Sequence, residues 1–108
     1  MERTDRCELE PHDAERRLRA GALLLDVREP DEWTAGHVAG ARHIPLGQIE
    51  ERLGELPSDR EIIVICRSGR RSAKAQDTIE AAGLGPVANL AGGILAWEEC
   101  GLPVTRSA

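Results

Sequence analysis

The run Ile62-Ile63-Val64-Ile65 constrains the fold more than any other part of the chain. It is too short for a helix, it is built from β-branched residues, and no polar residue alternates with the apolar ones. Such a run fits a strand buried on both faces, the situation inside a parallel sheet with helices on either side. Leu23–Val27, apolar apart from Asp26, and Val87–Leu90 read the same way, and Ala41–Ile44, closed by Pro45, adds a short strand. Helical segments alternate with these runs. Pro11–Ala20 has an early proline, Ala14 and Leu18 on one face, and Gly21 as a stop. Pro30–Ala35 is a short turn of helix ended by Gly36. Leu46–Leu53 carries Leu46, Ile49 and Leu53 at spacings of three and four, followed by a turn at Pro57–Asp59. Ser72–Ala82 is stopped by Gly83 and Pro86, and Gly93–Cys100 by Gly101 and Pro103. The pattern predicts an α/β domain with Ile62–Ile65 as the central strand and right-handed crossovers.

At 108 residues the chain is the size of one domain, spanning 1–108. Its 14 basic and 19 acidic side chains give a net charge of −5, which argues against a nucleic-acid partner. Trp33 and Trp97 are its only aromatic residues, so base stacking is not a binding mode here. The uncharged apolar run Gly21–Leu25 is far too short to span a membrane, and Arg3, Asp5, Arg6, Glu8 and Glu10 interrupt any signal-peptide core. Cys7, Cys66 and Cys100 are too few and too far apart for a disulfide framework, and no pair has zinc-site spacing. His12, His37 and His43 do not align as metal ligands on a helix or strand. A reduced, cytoplasmic domain without a metal is the expectation.

Chemistry concentrates where the central strand ends, at Cys66-Arg67-Ser68-Gly69-Arg70-Arg71-Ser72. Ligands of parallel sheets bind at the carboxyl ends of the strands. A turn into a helix there forms a nest of backbone N–H groups, which lowers the pKa of a cysteine placed in it. Gly69 is the residue able to take the positive φ that lets the amides converge. Arg67, Arg70, Arg71 and Lys74 reverse the local sign of an acidic chain and point to an anionic substrate. A strand-end cysteine alone fits inert core, and arginines at a helix start alone fit a solvated face. Joined in one strand–Cys–loop–helix unit, they mark a site.

With these residues in view, the chain resembles the single-domain rhodanese (sulfurtransferase) family from about residue 9 to 104. The resemblance is carried by Leu25-Asp26-Val27-Arg28-Glu29, Trp33, Gly36-His37-Val38-Ala39-Gly40-Ala41, Ile44-Pro45-Leu46, Cys66 to Ser72, and Asn89-Leu90-Ala91-Gly92-Gly93 with Trp97. It implies a rhodanese-like fold: a central, mostly parallel sheet of five strands flanked by helices on both faces. It implies that Cys66 accepts a sulfane sulfur as a persulfide held by the amides of Arg67, Ser68, Gly69, Arg70 and Arg71, with neither metal nor organic cofactor. The termini, Met1–Arg6 and Thr105–Ala108, fall outside the match and are expected to fray.

Around this centre, Asp26 and Arg28 lie at the end of a neighbouring strand. They either brace the loop or form an ordinary structural ion pair. The resemblance gives His37 a structural role at the turn before Gly40. Trp33 and Trp97 are expected in the core, Gly92-Gly93 where backbones approach closely, and Cys100 as a small buried hydrophobe. The implied activity is ping-pong sulfur transfer from an anionic donor such as thiosulfate to cyanide or a thiol, a protein thiol included. A relay or interaction module for a dedicated partner is the alternative. A rhodanese-fold cysteine phosphatase is disfavoured, because its pattern places arginine after five intervening residues. Here Arg71 follows after four and Ser72 occupies the next position.

Overall fold

The computed structural model describes residues 6–106. Its elements are β1 (Glu8–Leu9), α1 (Pro11–Arg19), β2 (Leu23–Asp26), α2 (Pro30–Ala35), β3 (Arg42–His43), β4 (Ile62–Ile65), α3 (Arg70–Ala81), β5 (Val87–Leu90) and α4 (Gly93–Glu99), with 3-10 turns at Leu46–Gln48 and Glu50–Glu55. The strands form one five-stranded sheet in the order β1-β5-β4-β2-β3, every pairing parallel, and β4 is central as expected.

Because successive side chains of a strand point to opposite faces, the apolar runs build two cores. Leu23, Leu25, Ile62 and Val64 pack with Ala75 and Ile79 of α3 and with Ile49 and Leu56 of the 3-10 region. Leu24, Ile63, Ile65 and Leu90 pack on the other face with Ala14 of α1 and with Ile94 and Trp97 of α4. The same alternation continues past the strand and sends Cys66 to the α3 face with Ile62 and Val64.

Several elements differ from the sequence expectation. β1 is two residues long and shows no strand pattern; pairing with β5, Glu8 opposite Asn89 and Leu9 opposite Leu90, creates it. The expected helix Leu46–Leu53 is two 3-10 pieces with a kink at Arg52. Leu46 and Ile49, like Leu53 and Leu56, are three apart, which suits three residues per turn, and Gly47 and Gly54 weaken an α-helix. The helix expected to begin at Ser72 begins at Arg70, so Arg70 and Arg71 belong to its first turn.

Trp97 is buried as expected, but Trp33 is not in the core. Helix α2 buries none of its six residues, so the indole is covered by two stacked imidazoles, His37 at 3.6 Å and His43 at 4.9 Å between centroids. Cys100 is exposed. The chain turns out of α4 at Gly101, and Leu102 packs against the Trp97 core instead. Of the termini expected to fray, residues 1–5 and 107–108 lie outside the described residues. Arg6 and Thr105 are held: Arg6 by a bidentate pair with Asp77 at 2.7 and 2.9 Å, Thr105 by an antiparallel bridge to His37.

Candidate active site

Cys66 lies at the carboxyl end of the central strand and is 1% exposed. The next residues curl around its sulfur. Gly69, at φ +104°, takes the left-handed conformation expected of it and caps α3. Its N–H donates to Cys66 Sγ at 3.1 Å. The Ser72 hydroxyl lies 3.3 Å from the same sulfur. Burial pushes the Cys66 thiol up. Hydrogen bonds from the Ser72 hydroxyl and from the amides of Ser72, Gly69 and Ser68 outweigh it, and the net displacement is downward. The arrangement stabilises a buried thiolate by oriented dipoles.

Behind the loop, Asn89 of β5 uses both ends of its amide. Nδ2 donates to the Gly69 carbonyl at 3.0 Å and to Glu8 Oε2 at 3.3 Å, which turns Oδ1 toward Ser72 Oγ at 2.5 Å. The Ser72 hydroxyl has one proton, shared between Asn89 Oδ1 and the sulfur. Neither Ser72 nor Asn89 stands out by residue type. The available signal is a polar residue inside the apolar run Val87–Leu90, buried at 1% and therefore in need of partners.

On the opposite face α4 fixes the loop from below. Ile94 N–H donates to the Cys66 carbonyl at 2.8 Å and Leu95 N–H to the Arg67 carbonyl at 3.3 Å. This close approach requires glycine at 93, where a Cβ would meet the Arg67 carbonyl oxygen at 2.4 Å. The expectation of close backbone approach at Gly92-Gly93 holds.

The arginines divide. Arg71 is clamped by Glu32 of α2 through bonds of 2.7 and 2.8 Å. The Arg71 side-chain hydrogen bond holds the Glu32 carboxyl down at about 2, so this link between α2 and α3 survives well below neutral pH. Glu32 was invisible as a partner because it lies 39 residues away in the chain. Arg67, Arg70 and Lys74 are exposed and have no ion-pair partner among the described residues.

Asp26 and Arg28 form a buried bidentate pair at 2.7 and 2.9 Å, and Arg28 also donates to the Gly36 carbonyl at 2.7 Å. Their bonds run within the pair and to the end of α2. Asp26 stands in register with Ile65, next to Cys66. His37 takes part in the stack on Trp33, with Nδ1 2.8 Å from the Trp33 carbonyl.

Replacing Ser72 by alanine removes the largest of the hydrogen-bonding contributions that lower the thiol. The Cys66 pKa is then expected to rise, and the acid limb of the pH–rate profile to move to higher pH. Loss of rate is greatest in acid and fades in alkali, where the thiol ionises without help. Thiol alkylation with iodoacetamide across pH measures it, and an unmoved limb would show that the hydroxyl proton stays on Asn89.

The fold and the site together define an α/β protein with a cysteine nucleophile cradled by backbone amides at the end of a parallel strand. The chain belongs to the rhodanese-like domain family, whose profile matches residues 10–100. It is 43% identical over 82 residues to a sulfurtransferase of Allochromatium vinosum, covering 76% of this chain and 77% of that one. It is 45% identical over 74 residues to the putative sulfur carrier protein YrkF of Bacillus subtilis, covering 68% of this chain and 40% of the relative. A solved rhodanese-related protein from Thermoplasma volcanium superposes with a TM-score of 0.88 at 34% identity, over 94% of this chain and 99% of its own. These relationships support sulfur transfer as the general chemistry. Among the described residues no helix is long and apolar enough to cross a membrane.

Proposed function

We propose that the protein is a cytoplasmic thiosulfate sulfurtransferase working through a Cys66 persulfide. The observation that carries this reading is the buried Cys66 sulfur, receiving the Gly69 amide at 3.1 Å and lowered in pKa by its donors. In the first half-reaction the thiolate attacks the outer sulfur of thiosulfate. The S–S bond of the donor breaks, its electron pair leaves with sulfite, and Cys66 carries the sulfane sulfur. In the second, cyanide or a thiol attacks that outer sulfur, and the electron pair of the persulfide bond returns to Cys66. The loop amides from Arg67 to Arg71, prebuilt as donors, stabilise negative charge on the nucleophile and the persulfide. Arg67 and Arg70 supply the field for an anionic donor, whereas the charge of Arg71 is matched by Glu32. The bidentate Glu32–Arg71 link also gives no support to Arg71 as a phosphate-binding arginine, against the phosphatase reading. Asp26 and Arg28 act as a brace on the β2–α2 side of the site. The test is intact-mass spectrometry after incubation with thiosulfate: one added sulfur, lost on adding cyanide, is expected. An unchanged mass overturns the reading.

Donor choice follows from charge. Thiosulfate is a dianion and 3-mercaptopyruvate a monoanion, and Arg67 directly follows the nucleophile. Arg67→Gly is expected to lower kcat/KM for thiosulfate by about tenfold, less at high salt, and to lower mercaptopyruvate use by less. Parallel kinetics with both donors at two salt concentrations decide it. Equal losses would mean that Arg67 shapes the loop without reading donor charge.

A relay to a dedicated protein thiol is the second reading, favoured by the likeness to a putative sulfur carrier protein. Faster persulfide discharge to protein thiols than to cyanide would support it.

A further inference from the structure

The Ser72 hydroxyl faces two acceptors with one proton to give. Its oxygen lies 2.5 Å from Asn89 Oδ1 and 3.3 Å from Cys66 Sγ. Ser72 and Asn89 are both buried, at 0% and 1% exposure, so water does not mediate between them. The Asn89 amide cannot turn over to relieve the competition. Its Nδ2 donates to the Gly69 carbonyl and to Glu8 Oε2, both acceptors, and a flipped amide would set oxygen against oxygen. Oδ1 has no donor besides Ser72 among the described residues. It is held by β5 and the paired β1 within reach of a proton that the nucleophile also uses.

The three states of Cys66 place different demands on that proton. A thiol donates its S–H to Ser72 Oγ while the hydroxyl proton stays on Asn89, and every group is paired. A thiolate needs donors. It has the Gly69 N–H at 3.1 Å and gains a second only if the Ser72 O–H rotates toward it. Asn89 Oδ1 then loses its donor in the protein interior, where an unpaired acceptor is costly, and meets an oxygen lone pair at short range. In a persulfide the negative charge sits on the outer sulfur. Sγ is then neutral and a weak acceptor, and the hydroxyl proton returns to Asn89.

We propose that Asn89 is a positioning residue for sulfur transfer: by competing with the Cys66 sulfur for the Ser72 proton, it disfavours the free thiolate and favours the loaded persulfide. The hydroxyl rotates about its C–O bond and no proton leaves Ser72, so the covalent steps are unaltered. The inference rests on the sulfur-transfer reading and adds what makes the loaded state keep its sulfur. The charged groups around the site are Arg71 of α3, matched by Glu32 of α2, the Asp26–Arg28 pair of β2, Glu8 of β1, and Arg67 and Arg70 of the loop and helix start. Among the described residues none of them hydrogen-bonds the Ser72 hydroxyl or Asn89 Oδ1.

Asn89→Leu keeps the size of the side chain and removes the competing acceptor. Iodoacetamide alkylation below the midpoint of the Cys66 titration is expected to become about threefold faster, because the Ser72 proton is then committed to the sulfur. The loading equilibrium, persulfide plus sulfite against thiolate plus thiosulfate, is read by intact mass in alkaline solution. It is expected to shift about threefold toward the thiolate. Ser72→Ala takes the donor away from the thiolate and is expected to move both quantities the other way. Asn89→Leu also releases the Gly69 carbonyl, so a residue that only held the loop would misalign the Gly69 N–H and slow alkylation. In a Ser72→Ala background Asn89→Leu is expected to change neither quantity. Slower alkylation in Asn89→Leu, or an undiminished effect in the Ser72→Ala background, overturns the proposal and leaves sulfur transfer standing. Should Asn89→Leu not fold, the wild-type protein decides by NMR. The Asn89 side-chain NH2 resonances are expected to move with the Cys66 titration and to return when thiosulfate loads the cysteine, and resonances that stay in place overturn the proposal. A wild-type protein that gains no sulfur overturns the sulfur-transfer reading and the persulfide half of this one, while alkylation still decides the competition for the proton.

Discussion

Cys66→Ser is expected to abolish persulfide formation and to lower turnover by at least about a thousandfold, since the cradle around the sulfur has no second nucleophile to serve. The serine hydroxyl is not ionised by the amides that lower a thiol. Cys7→Ser and Cys100→Ser are expected to stay within about twofold of wild type, as conservative changes of exposed side chains. Cys7 contributes to the site region only through its carbonyl, which accepts from Asn89 N–H at 2.9 Å and Gln76 Nε2 at 3.1 Å. Intact mass after thiosulfate treatment and steady-state rates for the three variants measure this. A loss in Cys100→Ser comparable with that in Cys66→Ser would require a two-thiol relay and would sink the single-nucleophile mechanism.

Gly93→Ala is expected to be the most damaging change outside the loop. A Cβ at this position would stand 2.4 Å from the Arg67 carbonyl oxygen and 2.5 Å from the Cys66 carbonyl oxygen, and the backbone there has φ +63°. Both obstacles are main chain, so no rotamer relieves them. Steric displacement and the left-handed backbone together cost about 2–4 kcal/mol, and moving the Cys66 and Arg67 peptides misaligns the amides that hold the sulfur. Activity is expected to fall about a hundredfold. Gly83→Ala is the control. Its φ is +80° but a Cβ there meets nothing within 4 Å, so it bears a conformational cost of about 1 kcal/mol and full activity. Thermal unfolding and kinetics of the pair separate strain from crowding. Equal activity in the two variants would show that α4 does not position the loop.

The parts of the fold legible in the sequence are those whose residues need only one explanation. Ile62–Ile65 is apolar without alternation and lies in the middle of the sheet. Cys66 and Gly69 announced themselves by type and spacing, and Gly69 adopts the conformation that only its own lack of a Cβ makes easy. β1 was not legible, because two residues carry no periodicity and their pairing with β5 comes from the far end of the chain. Leu46–Leu53 misled because spacings of three fit both helix types. Trp33 looks like core by residue type, but what covers it is two imidazoles, which are not apolar. The pairing of Arg71 with Glu32 and of Ser72 with Asn89 could not be read locally: partners 39 and 17 residues apart meet only once the sheet has formed.

The Cys66 peptide is gripped twice, its sulfur from the α3 face and its carbonyl from α4 on the other. The seven-residue stretch from Cys66 to Ser72 is therefore not a portable cassette. Grafted onto another parallel sheet it would need Asn89 to orient Gly69 and Ser72, and a residue without a side chain at 93 to let the following helix come close. The same dependence is a criterion for surveying genomes. A homologue that keeps the cysteine but has a side chain at position 93 has lost the support of its cradle, and its loop motif is then a relic of ancestry.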